Sequence, residues 1–168
     1  LPVLQPKEIW QRTGRWQDFD ALYKLKGRDG KEMALGPTHE EVVVNLAKNF
    51  IDSYKDLPFY LYQIQTKFRD EPRAKSGLLR NREFLMKDLY SFHTFQEDLD
   101  KFYENMKKIY QRLFKRCGLE PLITEASGGT FSKYSHEFQV LSETGEDLIF
   151  HCSCGFARNK EIANLKEG

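Results

Sequence analysis

The sequence predicts an α+β fold in which helices flank an antiparallel sheet. Short segments of alternating polar and apolar residues are separated by turn signals, which is typical of antiparallel hairpins. Two other segments carry apolar residues three and four positions apart, the spacing of a helix that buries one face. Strands and helices do not alternate regularly, so a parallel α/β sheet is not expected.

A hairpin followed by a helix is predicted in the first third of the chain. Residues 23–25 and 33–35 flank Asp29-Gly30, a dipeptide favoured in tight hairpin turns. Apolar residues then recur at helical spacing from Val42 to Tyr54. Thr38 and Glu41 stand in the relation of a capping box, so we expect Thr38 to cap this helix.

Two longer strands with a basic connection form the centre of the prediction. Residues 60–68 and 83–92 alternate in strand fashion, and residues 73–81 connect them. Seven basic and three acidic residues lie between Lys67 and Lys87. Such a charge run is usually a solvated surface, and the net charge of +1 gives the chain as a whole no general attraction for nucleic acid.

The remainder of the chain predicts a long helix and further strands. The helix starts at a second capping-box pattern, Thr94 with Glu97, carries one apolar stripe and stops at Gly118. Strands are expected at residues 135–141 and 148–150, with a turn between them.

Composition limits the classes of protein to consider. With 168 residues, 40% hydrophobic and 30% charged, the chain is long enough for one sizeable core. No run approaches the ~20 apolar residues of a membrane span, and the start lacks the regions of a signal peptide. We therefore expect a cytoplasmic protein without a membrane partner.

The cysteines are few and odd in number, which favours reduced thiols over a disulfide framework. Cys152 and Cys154 form one tight pair beside His151, and Cys117 is distant in sequence. A structural zinc site needs four ligands, commonly from two spaced pairs. We therefore expect no metal here.

The most informative segment is the run FRDE at 68–71 with the basic loop after it. Arg80, Phe84 and Asp88 follow at four-residue spacing. Alone, each residue has an ordinary explanation: a strand-end charge, a core aromatic side chain or a surface acid. Together the positions resemble motif 2 of class II aminoacyl-tRNA synthetases.

That resemblance implies a role for each residue. Arg69 would be catalytic, because a bidentate guanidinium can hold both the amino-acid carboxylate and the α-phosphate of ATP as two anions meet. Phe84 would stack on adenine, Glu71 would accept a hydrogen bond from its amino group, and Arg80 would also bind ATP. The substrate would enter as Mg²⁺–ATP.

Two further stretches resemble prolyl-tRNA synthetases of the bacterial type. The run GPTHEE at 36–41 is similar to a Thr-x-Glu loop, which implies that Thr38 and Glu40 bind the imino group of proline and Arg69 its carboxylate. A cap role for Thr38 is compatible with this. Residues 135–141 are similar to a strand that walls the proline pocket, which implies contacts from His136, Glu137 and Phe138.

The resemblance covers most of residues 1–168 as the first part of a catalytic core. It starts at Pro2, which is similar to the end of motif 1 at a dimer interface, and runs to the start of an editing insertion. It implies a homodimer and a tRNA(Pro) acceptor end as partner, contacted by Arg73, Lys75 and Arg82. No stretch of the 168 residues resembles motif 3 or an anticodon-binding domain.

One alternative stays open. A non-catalytic module could retain this fold and use the basic loop to bind RNA or a protein partner, and the lack of a motif 3 pattern favours it. Synthetase relatives specific for threonine, serine or glycine are disfavoured by the run GPTHEE.

Overall fold

The computed structural model describes residues 1–75, 77–128 and 132–163, with the backbone alone at 132–134. Chain length suggested one core, but the chain divides into two compact units, Leu1–Leu99 and Asp100–Gly168. Among the described residues, no helix is both long and apolar enough to cross a bilayer.

The first unit combines short helices with antiparallel strands. In chain order, its elements are β1 Leu4–Pro6, α1 Lys7–Arg12, α2 Arg15–Asp18, β2 Lys24–Lys26, β3 Glu32–Leu35, α3 Glu40–Ala47, β4 Phe59–Phe68 and β5 Glu83–Phe92.

The first sheet has the strand order β1-β3-β2, with both pairs antiparallel. The predicted hairpin of β2 and β3 is confirmed, and Gly30 adopts φ +82° in its turn, a backbone conformation that favours glycine. Trp10, Trp16 and Leu22 pack with Ala34 of β3 as the buried core of this region. The core thereby holds the chain that leads into residues 36–41.

The predicted pair of long strands is confirmed as the β4–β5 hairpin. Its antiparallel register runs from Phe59 opposite Phe92 to Phe68 opposite Glu83. Because side chains alternate across a strand, Lys67 and Phe84 share one face of the hairpin with Gln63, Leu61 and their partners on β5. This face carries the candidate site.

Helix α3 differs from the prediction at both ends. It stops at Ala47 instead of reaching Tyr54. Its N-cap is His39, and no side chain caps it. Thr38 is not the cap, because its hydroxyl instead donates to the Glu40 carboxylate, and Glu41 accepts hydrogen bonds from Thr13 and Arg15.

The second unit contains most of the long helix and a four-stranded sheet. The elements are α4 Gln96–Arg116, β6 Leu122–Gly128, β7 Ser132–Gln139, β8 Ile149–His151 and β9 Ala157–Asn159. The strand order is β7-β6-β9-β8, with β6 and β9 parallel and the other pairs antiparallel. Gly118, with φ +76°, follows the helix end as predicted.

These elements confirm the α+β class. The described strands form three sheets, and every pair in them is antiparallel except that of β6 with β9.

The structure places the sulfur atoms of Cys152 and Cys154 next to each other, whereas Cys117 is exposed. Reduced thiols stay a prediction. Among the described residues, no group of three or more His, Cys, Asp or Glu side chains could hold a metal ion. The absence of a metal stays a prediction.

We predict that Gly36→Ala destabilises the chain. A Cβ at this position would overlap Nε2 of Gln5, a buried side chain held by hydrogen bonds to the Thr38 carbonyl and from Trp10 Nε1. Moving Gln5 would break those bonds, so the free energy of unfolding should fall by roughly 1–3 kcal/mol in denaturant titrations.

Gly145→Ala is the matched control. Its Cβ would meet only the Ser142 carbonyl, at 3.2 Å, in an exposed turn. Equal stability of the two variants would show that residues 36–41 are not packed as described.

Candidate functional site

Arg69 lies directly after β4, where the β4–β5 hairpin opens. Its backbone N–H donates to the Arg82 carbonyl at 2.9 Å, so the hairpin fixes where its side chain starts. Its Nε donates to the Pro37 carbonyl at 3.3 Å, and its guanidinium carbon lies 5.3 Å from the centre of the Phe84 ring. Burial lowers the pKa of Arg69, and the Glu40 carboxylate raises it. A guanidinium stays charged in such a setting, so a half-buried cation faces this end of the hairpin.

Glu71 organises the start of the basic connection. One carboxylate oxygen accepts the backbone N–H of Arg73 at 2.9 Å, and the other lies 3.4 Å from Nε of Arg80. The Arg73 hydrogen bond and the Arg80 charge lower the pKa of Glu71, so it is ionised at neutral pH. The structure thus brings Arg69, Glu71, Arg80 and Phe84 together at one end of the hairpin.

Residues 36–39 form a loop that leads into α3 and lies against this end of β4. The Phe68 N–H donates to the Gly36 carbonyl at 3.1 Å. The buried Thr38 hydroxyl donates to the carboxylate of Glu40, the first residue of α3, which lies 3.5 Å from Arg15. The two residues predicted to bind one amine are therefore in direct contact.

A closed set of hydrogen bonds joins this loop to the β4–β5 hairpin, and we call its four residues, His39, Lys67, Asp88 and Tyr90, the polar ring. Lys67 is fully buried, and its Nζ lies 3.0 Å from Oδ2 of Asp88 and 2.5 Å from Nδ1 of His39. The Tyr90 hydroxyl donates to the same Asp88 oxygen at 2.5 Å and accepts the His39 backbone N–H at 3.3 Å.

The protonation states in the polar ring agree with its hydrogen bonds. Burial, followed by the Lys67 charge, lowers the pKa of His39, so its imidazole is neutral. Its Nδ1 can then accept from Lys67, and its Nε2 donates to the Pro2 carbonyl at 3.1 Å. Burial raises the pKa of Asp88, but hydrogen bonds from Tyr90, Gln63 and Lys67 outweigh it and leave that pKa lowered. Burial lowers the pKa of Lys67, whereas the hydrogen bond and the charge of Asp88 raise it, and at 3.0 Å the two side chains form a buried ion pair.

The polar ring could not be predicted from local patterns in the sequence. The alternation of β4 puts Lys67 on the same polar face as Gln63 and Gln65, which predicts a solvated side chain, whereas the structure buries Lys67.

The pocket-wall residues predicted on β7 do not share one face. His136 Nδ1 lies 3.1 Å from the Tyr103 hydroxyl of α4, and the Phe138 ring packs 5.4 Å from that of Phe114. Glu137 lies between them on the strand, so its side chain points to the opposite face. The three side chains cannot form one wall together, and their roles stay predictions.

The cations predicted to contact tRNA lie on the β4–β5 connection. Arg73, Lys75 and Arg82 are all exposed. Lys75 and Arg80 form an antiparallel bridge across the connection, and Ser76 is outside the described residues. An RNA contact by these residues stays a prediction.

The arrangement has a definite chemical capacity. A hydroxyl and a carboxylate, Thr38 and Glu40, can accept hydrogen bonds from a cationic amine. Arg69, a guanidinium that stays charged, offers two parallel donors to an anion nearby. Together they suit a zwitterion such as a free amino acid.

Comparison with known proteins places the chain among the synthetases. Residues 23–164 match the sequence profile described as tRNA synthetase class II core domain (G, H, P, S and T). This match covers most of the chain, including the polar ring and the β4–β5 hairpin.

Individual relatives are identical to this chain at about half of the aligned positions. A proline–tRNA ligase of Dehalococcoides mccartyi is 52% identical over 170 residues, which cover 99% of this chain and 30% of the relative. Proline–tRNA ligases of Sulfurihydrogenibium sp. and Thermosipho melanesiensis are 51% and 48% identical over 98% and 96% of this chain. The chain spans 28–30% of the length of these and other similar relatives. It belongs to the class II tRNA synthetase core-domain family.

Proposed function

We propose that this chain forms the proline- and ATP-binding part of a proline–tRNA ligase. The observation that carries the proposal is the contact of Thr38 with Glu40 beside Arg69, a site suited to an amino-acid zwitterion. Support comes from the names of the relatives, all proline–tRNA ligases at about 50% identity.

Proline differs from the other amino acids in having a secondary amine with two N–H donors when protonated. The Glu40 carboxylate accepts one of them, and a lone pair of the Thr38 hydroxyl accepts the other. The hydroxyl proton already points to Glu40, so its oxygen is oriented as an acceptor. The carboxylate of proline then pairs with Arg69.

Activation joins proline to ATP. An oxygen of the proline carboxylate forms a bond to the α-phosphorus while the bond from that phosphorus to the pyrophosphate oxygen breaks. Arg69 stabilises the negative charge that accumulates at the α-phosphate. Because Arg69 lies over Phe84, the guanidinium leaves that ring for the phosphate when adenine stacks there.

Other residues of the connection complete the nucleotide contacts. Glu71 accepts from the adenine amino group and Arg80 binds phosphate, which requires their mutual contact at 3.4 Å to loosen. Mg²⁺ enters with ATP as the metal–nucleotide substrate, and no residue of this chain is assigned to it.

The second step transfers proline to tRNA(Pro). A ribose hydroxyl of the terminal adenosine attacks the prolyl carbonyl carbon, and AMP leaves with the electron pair. The exposed cations Arg73, Lys75 and Arg82 bind phosphates of the acceptor end. His136, Glu137 and Phe138 are further candidates for proline contacts, limited by their opposite directions on β7. We also propose a homodimer in the cytoplasm, on the strength of the family resemblance at Pro2.

The experiment that tests the function is proline-dependent exchange of pyrophosphate into ATP by the full-length gene product, followed by charging of tRNA(Pro). We expect both activities, with Mg²⁺–ATP bound more tightly in the presence of proline. RNA binding indifferent to proline and ATP, without exchange, would instead identify a non-catalytic module.

We predict that Arg69→Lys weakens binding of a non-hydrolysable prolyl-adenylate analogue by about 2 kcal/mol, because an ammonium cannot make two parallel charge-assisted hydrogen bonds. Isothermal calorimetry measures this. Arg28→Lys, at an exposed position of the β2–β3 turn, is the control and should bind normally. Unchanged affinity of Arg69→Lys would remove Arg69 from the site.

We predict that Glu40→Gln loses proline binding without loss of fold. The amide cannot supply a charged acceptor, so affinity for the prolyl-adenylate analogue should fall at least tenfold. The fold should persist because Arg15 keeps its closer partner, Glu41, at 2.7 Å. Glu8→Gln, at an exposed position of α1, is the control. Normal affinity in a folded Glu40→Gln variant would contradict the assignment.

A further inference from the structure

We propose that Lys67 is a positioning residue for the amino-acid substrate. Through the polar ring it holds His39, and His39 in turn fixes Thr38 and Glu40 on either side of it. The inference rests on the proposed function, since it concerns how the proline-binding loop keeps its shape.

The position of His39 is fixed by three hydrogen bonds. Its backbone N–H is held by Tyr90 at 3.3 Å, its Nδ1 by Lys67 at 2.5 Å, and its Nε2 by the Pro2 carbonyl at 3.1 Å. A residue held at three points leaves its chain neighbours little freedom. Thr38 and Glu40 are those neighbours, and their side chains must meet for the amine site to exist.

Lys67 is buried together with its charge. An unpaired ammonium is costly to bury, so a lysine with no exposed side-chain surface is retained only with well-placed partners. Asp88 neutralises it at 3.0 Å, and His39 accepts another of its protons. Because such partners must sit in one geometry to offset the burial, the ion pair selects one position for His39.

The polar ring should matter more for the amine than for the nucleotide. Arg69 is held by its backbone bond to the Arg82 carbonyl as well as by the bond from its Nε to the Pro37 carbonyl, and Glu71 is held by the N–H of Arg73. The Arg82 and Arg73 contacts do not involve residues 36–39 or Lys67. Loss of Lys67 should therefore disturb the amine site more than the nucleotide contacts.

The test compares Lys67→Met with Lys87→Met in the full-length gene product. Both lysines lie on the β4–β5 hairpin, but Lys87 is exposed on its opposite face. We expect Lys67→Met to raise the KM for proline in pyrophosphate exchange by about tenfold or more and the KM for ATP by less than about twofold. Lys87→Met should change neither constant.

Two variants of His39, similar to each other in shape, distinguish positioning through the hydrogen bond to Lys67 from a purely structural role. Asparagine offers an oxygen that can accept from Lys67 near the position of Nδ1, whereas leucine of similar shape offers none. We expect His39→Asn to keep a KM for proline several-fold lower than that of His39→Leu.

A variant that fails to fold is replaced by a charge-balanced one. Lys67→Met combined with Asp88→Asn leaves no unpaired buried charge, so it should fold and still show the raised KM for proline. Circular dichroism verifies folding in each case.

A normal KM for proline in folded Lys67→Met or in the double variant would overturn the inference. An equal rise of the KM for proline and the KM for ATP would also overturn it. So would equal KM values for proline in the two His39 variants. If the unmodified protein shows no proline-dependent exchange, the proposed function fails instead.

Discussion

The buried ion pair of Lys67 and Asp88 is the interaction on which the rest of the candidate site depends. It lies on the face of the β4–β5 hairpin that carries the candidate site, where an ammonium without surface exposure lies 3.0 Å from a carboxylate. Removing one partner of such a pair destabilises a protein more than replacing both partners by apolar residues, because the other charge is left buried without a partner. The hydrogen bonds that complete the pair also reach His39. The same interaction therefore neutralises the buried charge of the hairpin and fixes the loop that contains His39.

This arrangement explains how a candidate site can be built on a loop. A loop alone would pay a conformational entropy cost to hold Thr38 against Glu40. Here the loop is fixed by the Phe68 backbone, by Gln5 packed beneath Gly36, and by the polar ring. Thr38 and Glu40 are consequently preorganised next to Arg69, which the proposed function requires, since it relies on positioning and electrostatics.

The sequence predicted the central hairpin well because strand alternation over ten residues is a strong, local signal, and the bounds of β5 agree with it. It predicted the meeting of Arg69, Glu71, Arg80 and Phe84 only through family resemblance. The burial of Lys67 was missed because this residue is on the polar face of β4, and its buried partners, His39 and Asp88, come from distant parts of the sequence. The cap of α3 was wrong because the Thr38 hydroxyl bonds to the nearby Glu40 carboxylate, a choice that the capping-box pattern does not reveal. The parallel strand β9 was missed because it depends on one long-range pairing, that of Arg158 with Glu125.

A crystal structure of the full-length gene product with a non-hydrolysable prolyl-adenylate analogue tests the central claim most directly. The account predicts that the imino nitrogen lies within hydrogen-bonding distance of the Thr38 hydroxyl and the Glu40 carboxylate, with the Arg69 guanidinium on the α-phosphate and His39 still bonded to Lys67. An analogue bound with its imino nitrogen away from Thr38 and Glu40, or with its phosphate away from Arg69, would contradict it.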